Sequence, residues 1–254
     1  MCFTHRNFAK VLNHYQYNFN IGDIIAGTIF SQEEKGYLID IGANNAAYLP
    51  NEEIYLTKVL QHNLISSETQ EFFILAYNAR SKQLILSLKR LKYIRGWERI
   101  KQLQLEDIVL DLEIKSLNKG GVLVDIEEIQ GFIPNSHLAY MVSKETLINT
   151  KVMCKFLIAD EQYNQLILSN RCAKLKHMLH KIKIGSQVRA PVTEIKPYGV
   201  FFNVNNIPAL LHISEMEKQH ITNFEQIFAI GTKWLIKVIH IDTKQGRLSV
   251  STNR

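Results

Sequence analysis

The chain has 254 residues, of which 46% are hydrophobic and 21% charged, so its composition is that of a globular protein rather than a disordered one. It contains no run of about 18 apolar residues, and its N-terminus lacks the apolar stretch of a signal peptide, which predicts a soluble protein that is not secreted. Three scattered cysteines argue against a disulfide framework and fit a reducing compartment.

Positive charge is concentrated towards the end of the chain. The formal net charge is +6 and the isoelectric point is near 9.1. Residues 1–169 contain 17 lysines and arginines against 19 acidic residues, whereas residues 170–254 contain 13 against 5. This asymmetry predicts an anionic partner for the last third of the chain.

The first predicted element is a short helix within residues 1–19. Phe8, Val11, Leu12 and Tyr15 follow the spacing of one helical face, which predicts a single apolar stripe. That stripe either covers the domain that follows or docks on another protein.

The rest of the chain repeats itself three times. AYLPNEEI (47–54), GFIPNSHL (131–138) and ALLHISEM (209–216) correspond to one another, and each is followed at a similar distance by a second shared segment. Those second segments are LILSLKR (84–90), LILSNRC (166–172) and LSVSTNR (248–254). Their serines, Ser87, Ser169 and Ser251, are spaced 82 residues apart, which predicts three structural units.

Each repeat is predicted to form five short strands, because aliphatic and β-branched runs alternate with Gly, Asn and Pro. In the third repeat the predicted strands are 187–195, 199–204, 208–211, 233–241 and 247–251. A five-stranded unit of this size is too small for a sandwich, and closure into a barrel removes its exposed edges. Solenoid packing is the alternative, although such a unit can hold its own core.

We therefore predict an all-β protein of three tandem five-stranded OB-fold barrels, spanning residues 20–89, 104–170 and 184–254. Helical linkers are predicted between them at 90–103 and 171–183, each with an apolar face expected to dock on the preceding barrel. The first face comprises Leu91, Ile94, Trp97, Ile100 and Leu103, and the second comprises Leu175, Met178, Leu179 and Ile182. His177 and His180 lie one turn apart, but without a third nearby ligand we expect solvated histidines and no metal or cofactor.

The third repeat carries a recognisable signature. Its segments KPYGVFFNV (196–204), ALLHISEM (209–216) and IDTKQGRLSVST (241–252) resemble the S1 RNA-binding domain, an OB-fold. That family's signature runs K-x-F-G-A-F-V, then G-L-L-H-I-S-E-L, then D-x-x-x-x-R-I-S-L-S. The first two repeats match the same frame more weakly, and the whole chain is similar to the short three-repeat ribosomal S1 proteins of cyanobacteria and plastids.

The resemblance implies a component of the small ribosomal subunit that captures mRNA, with single-stranded RNA and ribosomal proteins or rRNA as partners. The Ile-, Lys- and Asn-rich composition suits an AT-rich plastid genome, and the bacterial cytoplasm is the alternative location. An RNA-binding regulator that does not reside on ribosomes is an alternative function. S1 domains also occur in ribonucleases, but the sequence contains no acidic cluster spaced for two metals, no P-loop and no nucleophile elbow, so we expect no enzyme.

The resemblance also implies an RNA-binding site in the third repeat. Tyr198 and Phe201 match the two phenylalanines of the family motif, His212 matches its histidine and Arg247 its arginine, while Lys196 precedes them. OB-folds bind single strands by stacking bases on outward rings and holding phosphates with basic residues. These five residues are the RNA-binding candidates, and Asp242, which matches the motif acid, is expected to orient Arg247 or His212.

Strand alternation agrees with this assignment at most positions. It places Phe201 on the outside and Phe202 in the core, but it puts Tyr198 on the inner side. We expect a bulge at Gly199 to turn Tyr198 outward. Asn205 and Asn206 replace the glycines of the following turn, which asparagine tolerates.

Repeats 1 and 2 lack these rings. The matching positions are Lys35, Leu38 and Pro50 in the first repeat and Gly120, Leu123 and Pro134 in the second. We expect these two repeats to bind protein or structured RNA and to serve mainly as an anchor. Lys35 and Lys119 are weaker candidates for phosphate contact.

Overall fold

The structure is a computed structural model that describes residues 19–43, 45–54, 69–139, 147–216 and 224–252. The chain divides into two compact units, residues 1–95 and 96–254. The helix predicted within residues 1–19 lies outside the described residues, apart from Phe19 at its end.

The first unit contains one closed barrel, barrel 1. Its strands are β1 (Ile24–Glu33), β2 (Gly36–Asp40), β3 (Ala47–Pro50), β4 (Thr69–Asn78) and β5 (Gln83–Ser87). They lie in the order β1-β2-β3-β5-β4, and β4 pairs with β1 to close the barrel. β3 and β5 are parallel, whereas the other neighbours are antiparallel.

The second unit contains two further closed barrels. The strands of barrel 2 are β6 (Leu110–Leu117), β7 (Gly121–Ile126), β8 (Ile129–Pro134), β9 (Lys151–Asp160) and β10 (Gln165–Ser169). Those of barrel 3 are β11 (Gln187–Lys196), β12 (Gly199–Val204), β13 (Ile207–His212), β14 (Lys233–Asp242) and β15 (Arg247–Ser251). Both repeat the strand order of barrel 1, with the third and fifth strands parallel. The strands predicted for the third repeat are confirmed to within one residue at each end.

Alternation along the strands builds the cores. In β12, Val200, Phe202 and Val204 are buried, so the prediction that Phe202 belongs to the core is confirmed. Phe201 and Asn203 lie on the outer face of the same strand because successive side chains point to opposite sides.

Helix α1 (Leu88–Leu105) follows β5 directly and is longer than predicted. Ser87 marks the junction, because its Oγ accepts a hydrogen bond from the Arg90 amide at 2.8 Å and donates to Glu53 Oε2 at 2.6 Å. Four members of the predicted apolar face are buried and Ile94 is half-buried. The buried members are Leu91, Trp97, Ile100 and Leu103.

Helix α2 (Asn170–Met178) ends earlier than predicted. Its N-cap is Ser169, whose Oγ accepts from the Cys172 amide at 3.0 Å. The helix packs on β9, in the preceding barrel, but Leu175 and Ile182 belong to the core of barrel 3. The expected docking on the preceding barrel is therefore confirmed, and the structure adds that part of the apolar stripe packs in the following barrel as well. A single helical turn, α3 (Phe224–Ile227), was not predicted.

Arg171 joins barrels 2 and 3. It is only 6% exposed, and its Nη1 donates to the Ser136 carbonyl at 2.6 Å. Its Nε and Nη2 both donate to the carbonyl of Gln245, at 3.2 and 2.7 Å. Ser136 belongs to barrel 2 and Gln245 to the β14–β15 turn of barrel 3, so this buried guanidinium holds the two barrels together.

Candidate nucleic-acid interface

The outer face of barrel 3 forms a continuous row across four strands. Phe201 of β12 lies opposite Leu210 of β13, which is level with Ser249 of β15. Ser249 in turn lies opposite His240 of β14. Phe201 is therefore part of a row whose members come from distant parts of the sequence.

Tyr198 lies beside this row, in the turn before β12, and is 48% exposed. Its ring stands edge-on to that of Phe201, with 6.1 Å between the centroids and 86° between the planes. Because the two planes are nearly perpendicular, each ring offers its own face to a stacking partner.

The bulge expected at Gly199 was placed on the wrong strand. The register of the β11–β12 pair shifts between Val192 and Glu194, on β11. Tyr198 escapes the strand alternation because it belongs to the turn. Gly199 has a different role, since a β-carbon there would stand 2.2 Å from the Leu211 carbonyl oxygen, so glycine lets β12 approach β13.

His212 ends β13 directly opposite Gly199 and is exposed. Its Nδ1 accepts a hydrogen bond from the Ser214 amide at 3.2 Å and lies 2.8 Å from Ser214 Oγ. Because Nδ1 accepts from a backbone N–H, the proton of the neutral ring is on Nε2. His212 therefore presents a donor at the same end of the barrel as Tyr198.

Lys196 also lies at this end, opposite Gly199. Its Nζ is 2.6 Å from Glu194 Oε1, and both side chains are exposed. The hydrogen bond to Glu194 raises the pKa of Lys196, so the amine stays charged. An exposed pair of this kind opens at little cost, which leaves the amine available to a phosphate.

Arg247 begins β15 opposite Asp242 and is exposed. Its charge acts at the junction with barrel 2: burial lowers the pKa of His137, and the charges of Arg171 and Arg247 lower it further. The structure thus brings Lys196, Tyr198, Phe201 and His212 together and places Arg247 farther along, beside the junction.

Asp242 has a structural role in the β14–β15 turn. Its Oδ1 accepts from the amides of Lys244 and Gln245, both at 3.0 Å. Asp160 makes the same turn in barrel 2, where its Oδ1 accepts from the amides of Gln162 and Tyr163. Asp242 therefore fixes the conformation of this turn, while its supporting role in an RNA site and an orienting contact with Arg247 or His212 stay predictions.

Sequence reasoning missed His240, which is exposed in the same row as Phe201. Alternation along the fourth strand could have placed it on the outside, but the register shift between Val238 and His240 interrupts that alternation. Only the pairing of β14 with β15 shows that it shares a row with Phe201.

Barrels 1 and 2 carry outer rings that were also missed. Tyr48 lies opposite Leu38, and Phe132 opposite Leu123, at the position that Leu210 occupies in barrel 3. The ring of Tyr48 covers Gly36, with Cζ and Oη 2.8 Å from where a β-carbon would stand. Phe132 covers Gly121 in the same way. In these barrels the ring is therefore on the third strand instead of the second, and it lies over a glycine rather than beside an exposed tyrosine.

The two weaker candidates occupy turns. Lys35 and Lys119 are exposed, and their carbonyl oxygens accept from the Asn51 amide at 3.0 Å and from Asn135 Nδ2 at 2.8 Å. These hydrogen bonds tie each turn to the 3-10 helix that follows the third strand of its barrel.

Among the residues that the structure describes, no group of three His, Cys, Asp or Glu side chains is placed to hold a metal ion. The rings of His177 and His180 meet edge-on at 5.7 Å. No helix in the described part of the chain is long and apolar enough to cross a membrane.

A five-stranded closed barrel with outward rings and basic side chains is the arrangement of OB-folds that bind single-stranded nucleic acid. Comparison with known families agrees with this class: the model of the S1 RNA binding domain matches residues 106–171 and 181–253. Its two matches correspond to barrels 2 and 3.

Similar proteins match nearly the whole chain. Small ribosomal subunit protein bS1c of Pyropia yezoensis is 45% identical, covering 98% of this chain and 95% of that protein. The bS1 protein of a Synechococcus species is 41% identical over 99% of this chain and 83% of that protein. For bS1c of Spinacia oleracea the identity is 35%, over 99% of this chain and 62% of that protein. The chain belongs to the small ribosomal subunit protein bS1 family.

Proposed function

We propose that the chain is a small-ribosomal-subunit protein that binds single-stranded mRNA through barrel 3 and promotes its recruitment in translation. Its relatives in Pyropia yezoensis, Spinacia oleracea and a Synechococcus species are named as small ribosomal subunit proteins, which supports the ribosomal assignment over a regulator that works away from ribosomes. The plastid names of three of them support a plastid ribosome as its location, with the bacterial cytoplasm as the alternative.

Barrel 1 is proposed to be a third S1 domain. The family model does not include it in its matches, but its strand order, its parallel third and fifth strands and its closing serine are those of barrels 2 and 3. The proposed domains are residues 20–89, 104–170 and 184–254. Barrels 1 and 2 serve mainly as the anchor to ribosomal proteins or rRNA.

The observation that carries the RNA-binding proposal is the pair of rings at Tyr198 and Phe201, with Lys196 and His212 at the same end of the barrel. One base stacks on each ring, Lys196 holds a phosphate, and the Nε2 proton of His212 is donated to a base or phosphate oxygen. Such stacking reads no particular base edge, so sequence preference is weak. Binding requires no catalytic group and no cofactor.

The test is a titration of the full chain with fluorescent single-stranded RNA. Phe201→Leu places at this position the residue that barrels 1 and 2 carry there, Leu38 and Leu123, so the barrel tolerates it. Loss of a stacking ring is expected to cost about 1–3 kcal/mol, or roughly 5- to 150-fold in affinity. Phe132→Leu in barrel 2 is the matched control and should leave the affinity unchanged.

Ribosome association is measured in the same proteins by co-sedimentation with small subunits. Wild type and Phe201→Leu should sediment equally, because the anchor lies elsewhere. An RNA affinity that is unaffected by Phe201→Leu would contradict the assignment of the site, and a wild-type protein that fails to sediment would favour the non-ribosomal regulator.

A further inference from the structure

A second basic surface lies on a different face of barrel 3, where β11 pairs with β14. The outer positions of this two-stranded ribbon form three opposing pairs, Gln187 with Lys237, Arg189 with Leu235 and Pro191 with Lys233. Their inner neighbours Ala190 and Ile236 are buried, which assigns these six side chains to the outside. We call this surface the basic ribbon.

None of the six residues of the basic ribbon is acidic, and three of them carry positive charge. Arg189 and Lys233 are exposed, and Leu235, between the two lysines on β14, is 52% exposed. Among the residues that the structure describes, no ion pair involves Arg189, Lys233 or Lys237. A group of cations of this kind attracts an anion rather than neutralising a neighbouring acid.

The same face of the other barrels has different chemistry. In barrel 2, Asp111 stands at the position of Arg189 and Glu113 at that of Pro191, opposite Met153 and Lys151. In barrel 1 the face contains Ile24, Ala26 and Thr28 opposite Phe73, Glu71 and Thr69. The three faces share one backbone register, so the excess of cations in barrel 3 is not required by the fold.

The basic ribbon is continuous with the ring site. The outer positions of β14 run from His240, in the row of Phe201, through Lys237 and Leu235 to Lys233. Lys237 joins the two regions, because it lies opposite Ser251 of β15 as well as Gln187 of β11. From His240 to Lys233 the strand extends about 23 Å, at roughly 3.3 Å per residue. This length accommodates several nucleotides beyond those on the rings.

We propose that the RNA strand bound at Tyr198 and Phe201 continues along β14 onto the basic ribbon, where Lys237, Arg189 and Lys233 contact successive phosphates. Leu235 supplies an apolar contact for a sugar or base between them. The inference rests on the proposed function and adds a second, sequence-independent part to the same site. With the basic ribbon included, barrel 3 binds a longer single strand, and its site size falls within the range of about 4–16 nucleotides per OB-fold.

The test compares a 4-nucleotide with a 12-nucleotide oligouridine, each titrated into the full chain at two salt concentrations. The variant Arg189→Ala/Lys233→Thr introduces the residues that barrel 1 carries at these positions, Ala26 and Thr69. It should bind the 12-mer at least about 10-fold more weakly, and lower the salt slope by about 1.4, because each phosphate contact on a single strand contributes about 0.7. Affinity for the 4-mer should stay within about 2-fold of wild type.

The control variant Lys151→Thr/Arg99→Ala removes the same charge from one exposed position of barrel 2 and one of helix α1, and should not alter either affinity. Three results would overturn the proposal: an unchanged 12-mer affinity, an equal loss for both lengths, or loss of small-subunit sedimentation with RNA affinity intact. The last would identify the ribbon as a docking face for the ribosome. Failure of the ring site is distinguishable, because Phe201→Leu would then leave the 4-mer affinity unchanged.

Discussion

A single position in the second strand of each barrel decides where the aromatic ring stands. Barrel 3 has Phe201 there, with Leu210 opposite, whereas barrel 2 has Leu123 opposite Phe132. Each pair consists of one aromatic ring and one leucine. The outer face therefore contains the same two kinds of side chain in both barrels, but the ring is on the second strand in barrel 3 and on the third strand in barrel 2. The turn residue before the strand completes the difference, because Tyr198 is replaced by Gly120 in barrel 2, where the ring of Phe132 lies 3.4 Å from the position of a β-carbon.

His137 is expected to make the stability of the second unit dependent on pH. Its Nδ1 lies 3.0 Å from Ser169 Oγ, which accepts from the Cys172 amide and keeps its own proton to donate to a neutral ring. Burial and the charges of Arg171 and Arg247 lower the pKa of His137 in the folded protein. As the pH falls, the unfolded chain therefore takes up this proton before the folded chain does. The stability that depends on a neutral His137 is fully present above about pH 6.5, the ordinary pKa of histidine, and is lost progressively below it.

The measurement is urea unfolding of the full chain at pH 7.5 and pH 5.5. Wild type should lose more free energy of unfolding between the two values than His137→Gln, which keeps a hydrogen-bonding group beside Ser169 but cannot titrate. Identical pH dependence in the two proteins would show that His137 titrates normally in the folded state.

Among the elements, the β12–β13 turn of barrel 3 and the equivalent β7–β8 turn of barrel 2 differ in how readily their residues adopt the backbone conformation that the turn requires. The β12–β13 turn has Asn205 and Asn206 at φ values of 52° and 68°, as expected from the sequence. The β7–β8 turn has Glu127 and Glu128 at 50° and 66°. Asparagine adopts this left-handed conformation more readily than glutamate, so the same hairpin is less favourable in barrel 2.

Exchanging the two turns tests this comparison. Glu127→Asn/Glu128→Asn should raise the free energy of unfolding by about 1 kcal/mol, because it relieves left-handed strain. The reciprocal change, Asn205→Glu/Asn206→Glu, should lower the free energy of unfolding by a similar amount. It should also weaken the hydrogen bond from the Asn206 amide to Asn203 Oδ1. Shifts of the same sign in both swaps, measured by urea unfolding, would show that turn conformation is not the cause.

At the scale of the whole molecule, the buried arginine of helix α2 makes barrels 2 and 3 one unit. Arg171 donates to carbonyls of both barrels, and Cys172 Sγ donates to the Lys244 carbonyl at 3.3 Å in the same turn. The turn that it holds precedes Arg247, so the junction also positions the far end of the candidate RNA site.

Removal of Arg171 should loosen this junction without unfolding the barrels. Arg171→Met fills a similar volume but leaves the Ser136 and Gln245 carbonyls without this donor, and is expected to cost about 3 kcal/mol of stability. Hydrogen exchange of backbone amides in residues 242–246 and 135–139 should become faster. Arg171→Lys, which keeps the charge but not the planar fork, should give an intermediate effect. Unchanged exchange in Arg171→Met would mean that the apolar contacts of α2 are sufficient.

Much of this architecture could be predicted from the sequence because the information is local. Alternation within β12 separates Phe201 from Phe202, and the left-handed tolerance of Asn205 and Asn206 closes the hairpin. The misplaced bulge at Gly199 has a local explanation too, since alternation cannot distinguish a turn residue from a strand residue beside a glycine.

The threefold repeat, the alternating strands, the asymmetry of charge and the ring-bearing segment can all be read from the amino-acid sequence, because each is a pattern among neighbouring residues. Which distant residues meet is known only from the folded chain. Closure of the barrel brings His240 into the row of Phe201 and aligns Arg189 with Leu235, and the packing of α2 places Arg171 between two barrels. Such contacts depend on strand register and on packing between elements far apart in the chain, which no local pattern encodes.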